Sequence, residues 1–134
     1  MSDHADDRRA IVDLTLAYCR IVDAGDFGEL RDLFAPDATA ELGGSGQTGI
    51  DEIRDRLSTA LAPFVSWEHF VDEHEVTFNG DAATARCAVR AVHVRPAGES
   101  PPTYVVHGTY EDRLARTAHG WRITHRSLVV TARS

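Results

Sequence analysis

Between Asp7 and Asp23 the apolar residues fall at helical spacing. Ile11, Leu14, Tyr18 and Ile21 form one stripe, which Val12, Leu16 and Cys19 widen. The pattern predicts an amphipathic helix that stops at Ala24-Gly25. Asp26, with Glu29 three residues on, reads as a capping box that opens a second helix near Phe27–Phe34, ended before Pro36. Asp37–Leu42 reads as a short strand and Gly43–Gly49 as a flexible loop. Ile50, Ile53, Leu57 and Leu61 predict a third helix ending at Pro63.

From Ser66 the chain reads as strand. Strands are expected over Ser66–Phe78, Ala82–Arg95, Tyr104–Arg116 and Trp121–Val130, the first pair joined at Asn79-Gly80, a strong hairpin signal. In the second of these, Ala83, Ala85, Cys87, Val89, Ala91 and His93 share one face, and Thr84, Arg86, Ala88 and Arg90 the other. A face of small apolar residues suits a sheet curving around helices or a cavity. Three helices followed by a four-stranded antiparallel meander give an α+β fold. Residues 1–6 are polar and are expected to fray.

Composition narrows the classes. At 134 residues the chain is one domain, able to bury about two-thirds of its unfolded surface. A net charge of −7 argues against nucleic acid or an anionic membrane as partner. No apolar run approaches a membrane span and the first ten residues lack a signal peptide's apolar core, so a cytoplasmic location is expected. Cys19 and Cys87 have no metal-knuckle or redox spacing and are expected to be buried free thiols. All 14 basic residues are Arg, which excludes a Schiff-base lysine.

The candidate chemistry begins at Asp23. The end of a helix carries partial negative charge, so a carboxylate there is disfavoured and calls for a partner other than the helix. A solvated helix end is the ordinary reading; a partner across a pocket is the functional one. Of seven histidines, His4 falls in the expected frayed start and His119 in a turn, whereas His69 and His93 lie within strands. The ordinary reading of either ring is a backbone partner. A metal site has weak support, because His69 and His74 are five apart, on opposite faces of an ideal strand, and no HxH or HExxH occurs. A nucleophilic serine would need an elbow such as GxSxG, which is absent. GSGQTG, Gly44–Gly49, formally matches the dinucleotide fingerprint, but that motif requires a βαβ unit and a hairpin meander follows; a loop or lid over a pocket is the better use of those glycines. The remaining reading pairs His69 with Asp23. A carboxylate on one ring nitrogen fixes the tautomer and makes the other a general base.

Taken together, YCRIVDAGDFGELRDLFAPDATAEL, the HF that opens the first long hairpin, and GTYEDRLART with GWRITHRSL resemble the SnoaL-like division of the nuclear transport factor two-like superfamily. The resemblance spans about Arg9 to Val130. It implies a cone-shaped α+β barrel, three N-terminal helices on a curved, mostly antiparallel sheet around a deep pocket, commonly as a homodimer packed through the sheet. Scytalone dehydratase, hexachlorocyclohexane dehydrochlorinase, polyketide cyclases and ketosteroid isomerase belong to this group. In the first two an Asp ending the first helix pairs with a His opening the first long strand, positions matched by Asp23 and His69. His93 falls at a second pocket histidine of the dehydratase, Tyr18 at the isomerase's oxyanion-hole tyrosine, and Glu111 at a polar pocket residue of the dehydratase. The ordinary reading of Tyr18 is core, since a buried Tyr needs only one partner for its hydroxyl. The chain departs from the dehydratase at Val22 and Leu42, where substrate-binding tyrosines would stand, and Leu42 also replaces the isomerase's catalytic Asp. The resemblance implies a cofactor-independent, metal-free lyase, cyclase or isomerase acting on a small hydrophobic cyclic molecule. A non-catalytic binding or assembly domain is the alternative.

Overall fold

The computed structural model describes residues 4–134. Helix α1, His4–Ala24, begins earlier than expected and includes residues 4–6; residues 1–3 lie outside the described residues. His4 stacks on Phe78, with ring centroids 4.5 Å apart, and so belongs to the fold. The buried stripe of α1 is Ile11, Thr15, Tyr18, Cys19, Ile21 and Val22, while Leu16 faces solvent. Thr15 takes the inward place because its hydroxyl accepts a hydrogen bond from the buried Arg126.

The expected second helix is instead a single 3-10 segment, Phe27–Asp32, and Asp26 makes no side-chain cap; its backbone carbonyl accepts from Glu29 N–H. Strand β1 then runs Phe34–Leu42 with Pro36 inside it, at a register shift between Phe34 and Thr39 where the ladder lacks a bond. Gly43–Gly49 is not a free loop: Ser45–Thr48 is strand β2, which turns back on β1. The hairpin removes the dinucleotide reading, since the strand that follows the next helix lies at the opposite edge of the sheet and makes no βαβ unit with it. Helix α2, Ile50–Leu61, buries Ile53, Leu57 and Leu61 as its spacing predicts.

Strands β3 (Ser66–Asn79), β4 (Ala82–Val94), β5 (Thr103–Thr117) and β6 (Gly120–Arg133) form the expected antiparallel meander, with Gly80-Asp81 as the first two-residue turn. The sheet has six strands in the order β2-β1-β6-β5-β4-β3, because β1 pairs parallel with β6. The small-residue face of β4 is the inner one: Ala83, Cys87, Val89, Ala91 and His93 are buried. Both cysteines are buried and free. The sheet curves around α1 and α2, giving the mixed α+β cone. Among the described residues, no helix is long and apolar enough to cross a membrane.

Candidate active site

The stop of α1 sets the first functional side chain. Gly25 adopts φ +77, its N–H bonds Val22 O at 3.0 Å, and Asp26 N–H bonds Ile21 O at 3.1 Å, a Schellman motif. Trp67 Nε1 adds a third bond, to Val22 O at 2.7 Å, and pins the helix end to β3. Asp23 is thereby held over the start of β3. Its Oδ1 accepts from His69 Nδ1 at 2.7 Å, and its two oxygens accept from the His69 backbone N–H at 3.2 and 3.0 Å. All three bonds come from His69. A carboxylate only accepts, so Nδ1 carries a proton, and in the neutral ring Nε2 is the acceptor.

His69 also lines a cavity of about 120 Å³ enclosed by α1, α2 and the inner face of the sheet, and Asp23 does not. With Nδ1 taken by Asp23, Nε2 is the ring nitrogen left to serve that space. Leu42, Leu57, Leu61, Val89, Ala91 and Leu128 supply apolar wall, with His93, Tyr18, Tyr110 and Arg56 as the polar groups. Larger depressions, of about 500 and 480 Å³, are open grooves, the first among mostly exposed polar residues and the second among mixed apolar and polar ones.

His93 stands with its ring centroid 6.3 Å from that of His69, edge to face. Its Nδ1 is 2.9 Å from Tyr104 O, and a carbonyl only accepts, so Nδ1 carries the proton. Burial against Phe64 pushes the His93 pKa down; the Tyr104 carbonyl opposes this shift, and electrostatic coupling to His69 and to the Arg95 guanidinium adds to it. At neutral pH His93 is thus an uncharged acceptor through Nε2. Its folded-state pKa lies below the unfolded value of about 6.5, so the unfolded chain binds the proton first as pH falls. Stability is therefore expected to be held above about pH 6.5 and to decline as the pH drops from there through the folded pKa. His93→Gln should flatten that decline in chemical-denaturation curves at a series of pH values; an unchanged slope would assign the acid sensitivity elsewhere, first to His74, whose pKa burial also lowers.

Tyr18, 1% exposed, meets Tyr110 edge to face at 5.6 Å. Burial raises both pKa values, against the pull of the Arg126 charge, so both remain protonated. Tyr18 is therefore core and cavity wall at once. Glu111 is not in this cavity: it is exposed and lines an outer groove with Glu41, Arg86 and Arg113. The inner positions of β5 are Tyr110 and Asp112, one step to either side. A bulge in β3 between Asp72 and Glu75, with Glu73 at φ +55, also reverses strand parity, so that His74 turns inward beneath α1 on the same side as His69. Among the described residues no three His, Cys, Asp or Glu side chains converge as a metal set.

Below the tyrosines lies a buried ion pair. Arg126, fully buried, gives Nε and Nη2 to Asp112 at 2.8 and 2.7 Å and shares Nη2 with Thr15. Its guanidinium carbon stands 4.4 and 4.3 Å from the Tyr18 and Tyr110 ring centroids. Burial opposes its charge, but the Asp112 carboxylate keeps it protonated.

Residues 3–127 match a family model described as a SnoaL-like domain. Rv2910c, an uncharacterized protein of Mycobacterium tuberculosis, is 32% identical over 124 residues, 90% of this chain and 82% of that protein. Among solved structures, a Novosphingobium aromaticivorans protein provisionally assigned as an aromatic ring hydroxylase is 30% identical, with a TM-score of 0.87 over 97% of this chain and 93% of its own. A second protein of that organism, provisionally assigned as a scytalone dehydratase, is 25% identical, with a TM-score of 0.86 over 98% and 88%. A hexachlorocyclohexane dehydrochlorinase, LinA type 2, shares the fold alone at 18% identity, with a TM-score of 0.86 over 98% and 89%.

Proposed function

The chain belongs to the SnoaL-like domain family, and from that premise we propose that it is a cofactor-independent lyase that eliminates water from a small, hydrophobic, cyclic substrate. The observation that carries this reading is the Asp23–His69 pair at the wall of an apolar cavity, with Nε2 the ring nitrogen that Asp23 does not hold. His69 is the general base and Asp23 the positioning residue that fixes its tautomer. Nε2 takes a proton from the carbon next to a carbonyl, and the electron pair forms the new double bond as the β-hydroxyl departs. The imidazolium returns its proton to that hydroxyl, so water leaves and neutral His69 is restored. His93, an acceptor at Nε2, takes a hydrogen bond from a substrate hydroxyl. The protonated Tyr18 and Tyr110 supply donors toward the enolate oxygen.

The solved relatives bear different activity names, so the choice of elimination rests on this geometry and on the likeness to the dehydratase. Cyclisation or isomerisation uses the same base. The rival, a binding or assembly domain, has a use for the cavity but none for the dyad. Two measurements separate them. A panel of cyclic β-hydroxy ketones should show the absorbance of a conjugated enone growing with the protein and not with His69→Gln. In histidine ¹⁵N spectra, His69 should carry its proton on Nδ1, and Asp23→Asn should redistribute it; a tautomer indifferent to Asp23 removes the catalytic reading. We place the protein in the cytoplasm as a homodimer packed through the outer sheet face, where Phe70 and Val129 are exposed. Sedimentation should give twice the chain mass.

A further inference from the structure

Arg56, on α2, lines the same cavity as His69 and His93. Its Nε donates to Leu42 O at 3.1 Å and its Nη2 to Gly43 O at 3.2 Å. Two carbonyls orient a guanidinium without neutralising it. Arg54, Arg86, Arg116 and Arg126 each reach a carboxylate, and none of them lines this cavity. Among the described residues no carboxylate lies within ion-pair distance of Arg56. Its Nη1 has no hydrogen bond there either.

The position is built for the charge. Gly43 sits at φ +66, and a Cβ on it would collide with Nη2 of Arg56, so the β1–β2 turn leaves room for the guanidinium. Gly43 and Ala60, the latter one helical turn beyond Arg56, are the exposed members of the wall, whereas Tyr18 and Tyr110 are fully buried at the other end. Arg56 therefore stands at the mouth. The cavity's volume, about 120 Å³, approaches that of an engineered apolar cavity of about 150 Å³ that admits benzene, so it holds one ring.

We propose that the ligand of this cavity is a single-ring carboxylic acid, its ring against Leu57, Leu61, Val89 and Ala91 and its carboxylate taken by Arg56 at the mouth. This rests on the same cavity being the active site. An unpaired, pre-oriented guanidinium binds a carboxylate through charge-assisted hydrogen bonds, at a point removed from His69. The acid group is thus a handle, and the reacting carbon lies deeper.

Benzoate and its neutral isostere benzamide provide the probe, with dissociation constants read by NMR titration. The wild-type chain should bind benzoate at least about tenfold tighter than benzamide. Arg56→Met should abolish the preference while leaving benzamide affinity unchanged, its fold checked by the amide spectrum. Gly43→Ala, which keeps the arginine but displaces its guanidinium, should lose the preference too. Equal affinities in the wild type, no benzoate binding at millimolar concentration, or a preference that survives Arg56→Met would each overturn the assignment. A preference for the acid combined with a His69 tautomer indifferent to Asp23 would sink the lyase reading and leave the ligand class standing. The reverse combination would sink only the ligand class.

Discussion

Asp23→Asn is expected to lower kcat on an eliminated substrate by about 10²–10⁴-fold while leaving the fold intact. The reason lies in how many donors the carboxylate serves. Oδ1 takes Nδ1–H of His69 at 2.7 Å, and Oδ2 takes the His69 backbone N–H at 3.0 Å. An asparagine can keep only one of those two bonds, and with its carbonyl at Oδ1 the backbone N–H retains just the longer 3.2 Å contact. With its carbonyl toward Nδ1, the amide group opposes the backbone N–H, donor against donor. With the amide flipped, it donates to Nδ1 and drives the ring proton to Nε2, which removes the base. Folding is spared because Gly25 and Trp67 end α1, not Asp23. Losing a charge at a helix C-terminus also relieves a small unfavourable term. Steady-state kinetics should show the loss in kcat, with KM changed little. A variant of undiminished kcat would be incompatible with the dyad.

Much of this site could be read from the chain because it depends on local signals. The Ala24-Gly25 stop, the misplaced acid before it, and the small apolar face of β4 ending in His93 all act within a few residues. The sheet's extent could not be read this way. The β1–β6 pairing joins segments about ninety residues apart, and Phe34 was claimed by the helical pattern instead. Strand parity failed at bulges. Glu73 turns His74 inward, and a register shift opposite Arg113–Leu114 places Arg126 on the same side as Ile123. No alternation count anticipates an inserted residue. Glu111 failed differently: its neighbours Tyr110 and Leu114 carry the apolar alternation of β5, which points inward past Glu111, whereas position in the resembled family pointed to Glu111 itself. Arg56 gave no signal in sequence, since its role depends on the turn at Gly43 and on the absence of an acid nearby.

Asp112→Ala is expected to destabilise the fold by about 3–5 kcal/mol, which lowers the melting temperature by on the order of 10 °C. Arg126 is fully buried, and both oxygens of Asp112 are committed to it at 2.8 and 2.7 Å. Without Asp112 the guanidinium keeps Thr15 and two aromatic faces, which do not replace a counter-ion inside a core. Nη1 already lacks a hydrogen-bond partner among the described residues, so the site has no spare acceptor. Arg126→Met should cost a comparable amount by stranding the acid. The double variant should recover part of the loss, because the penalty comes from an unpaired buried charge more than from the missing pair. Urea denaturation of the four proteins gives this coupling directly. Additive losses in the double variant would mean that the pair contributes through packing alone. The distinction bears on the site: Arg126 lies against both tyrosine rings, and its charge is held beneath the cavity floor only while Asp112 balances it.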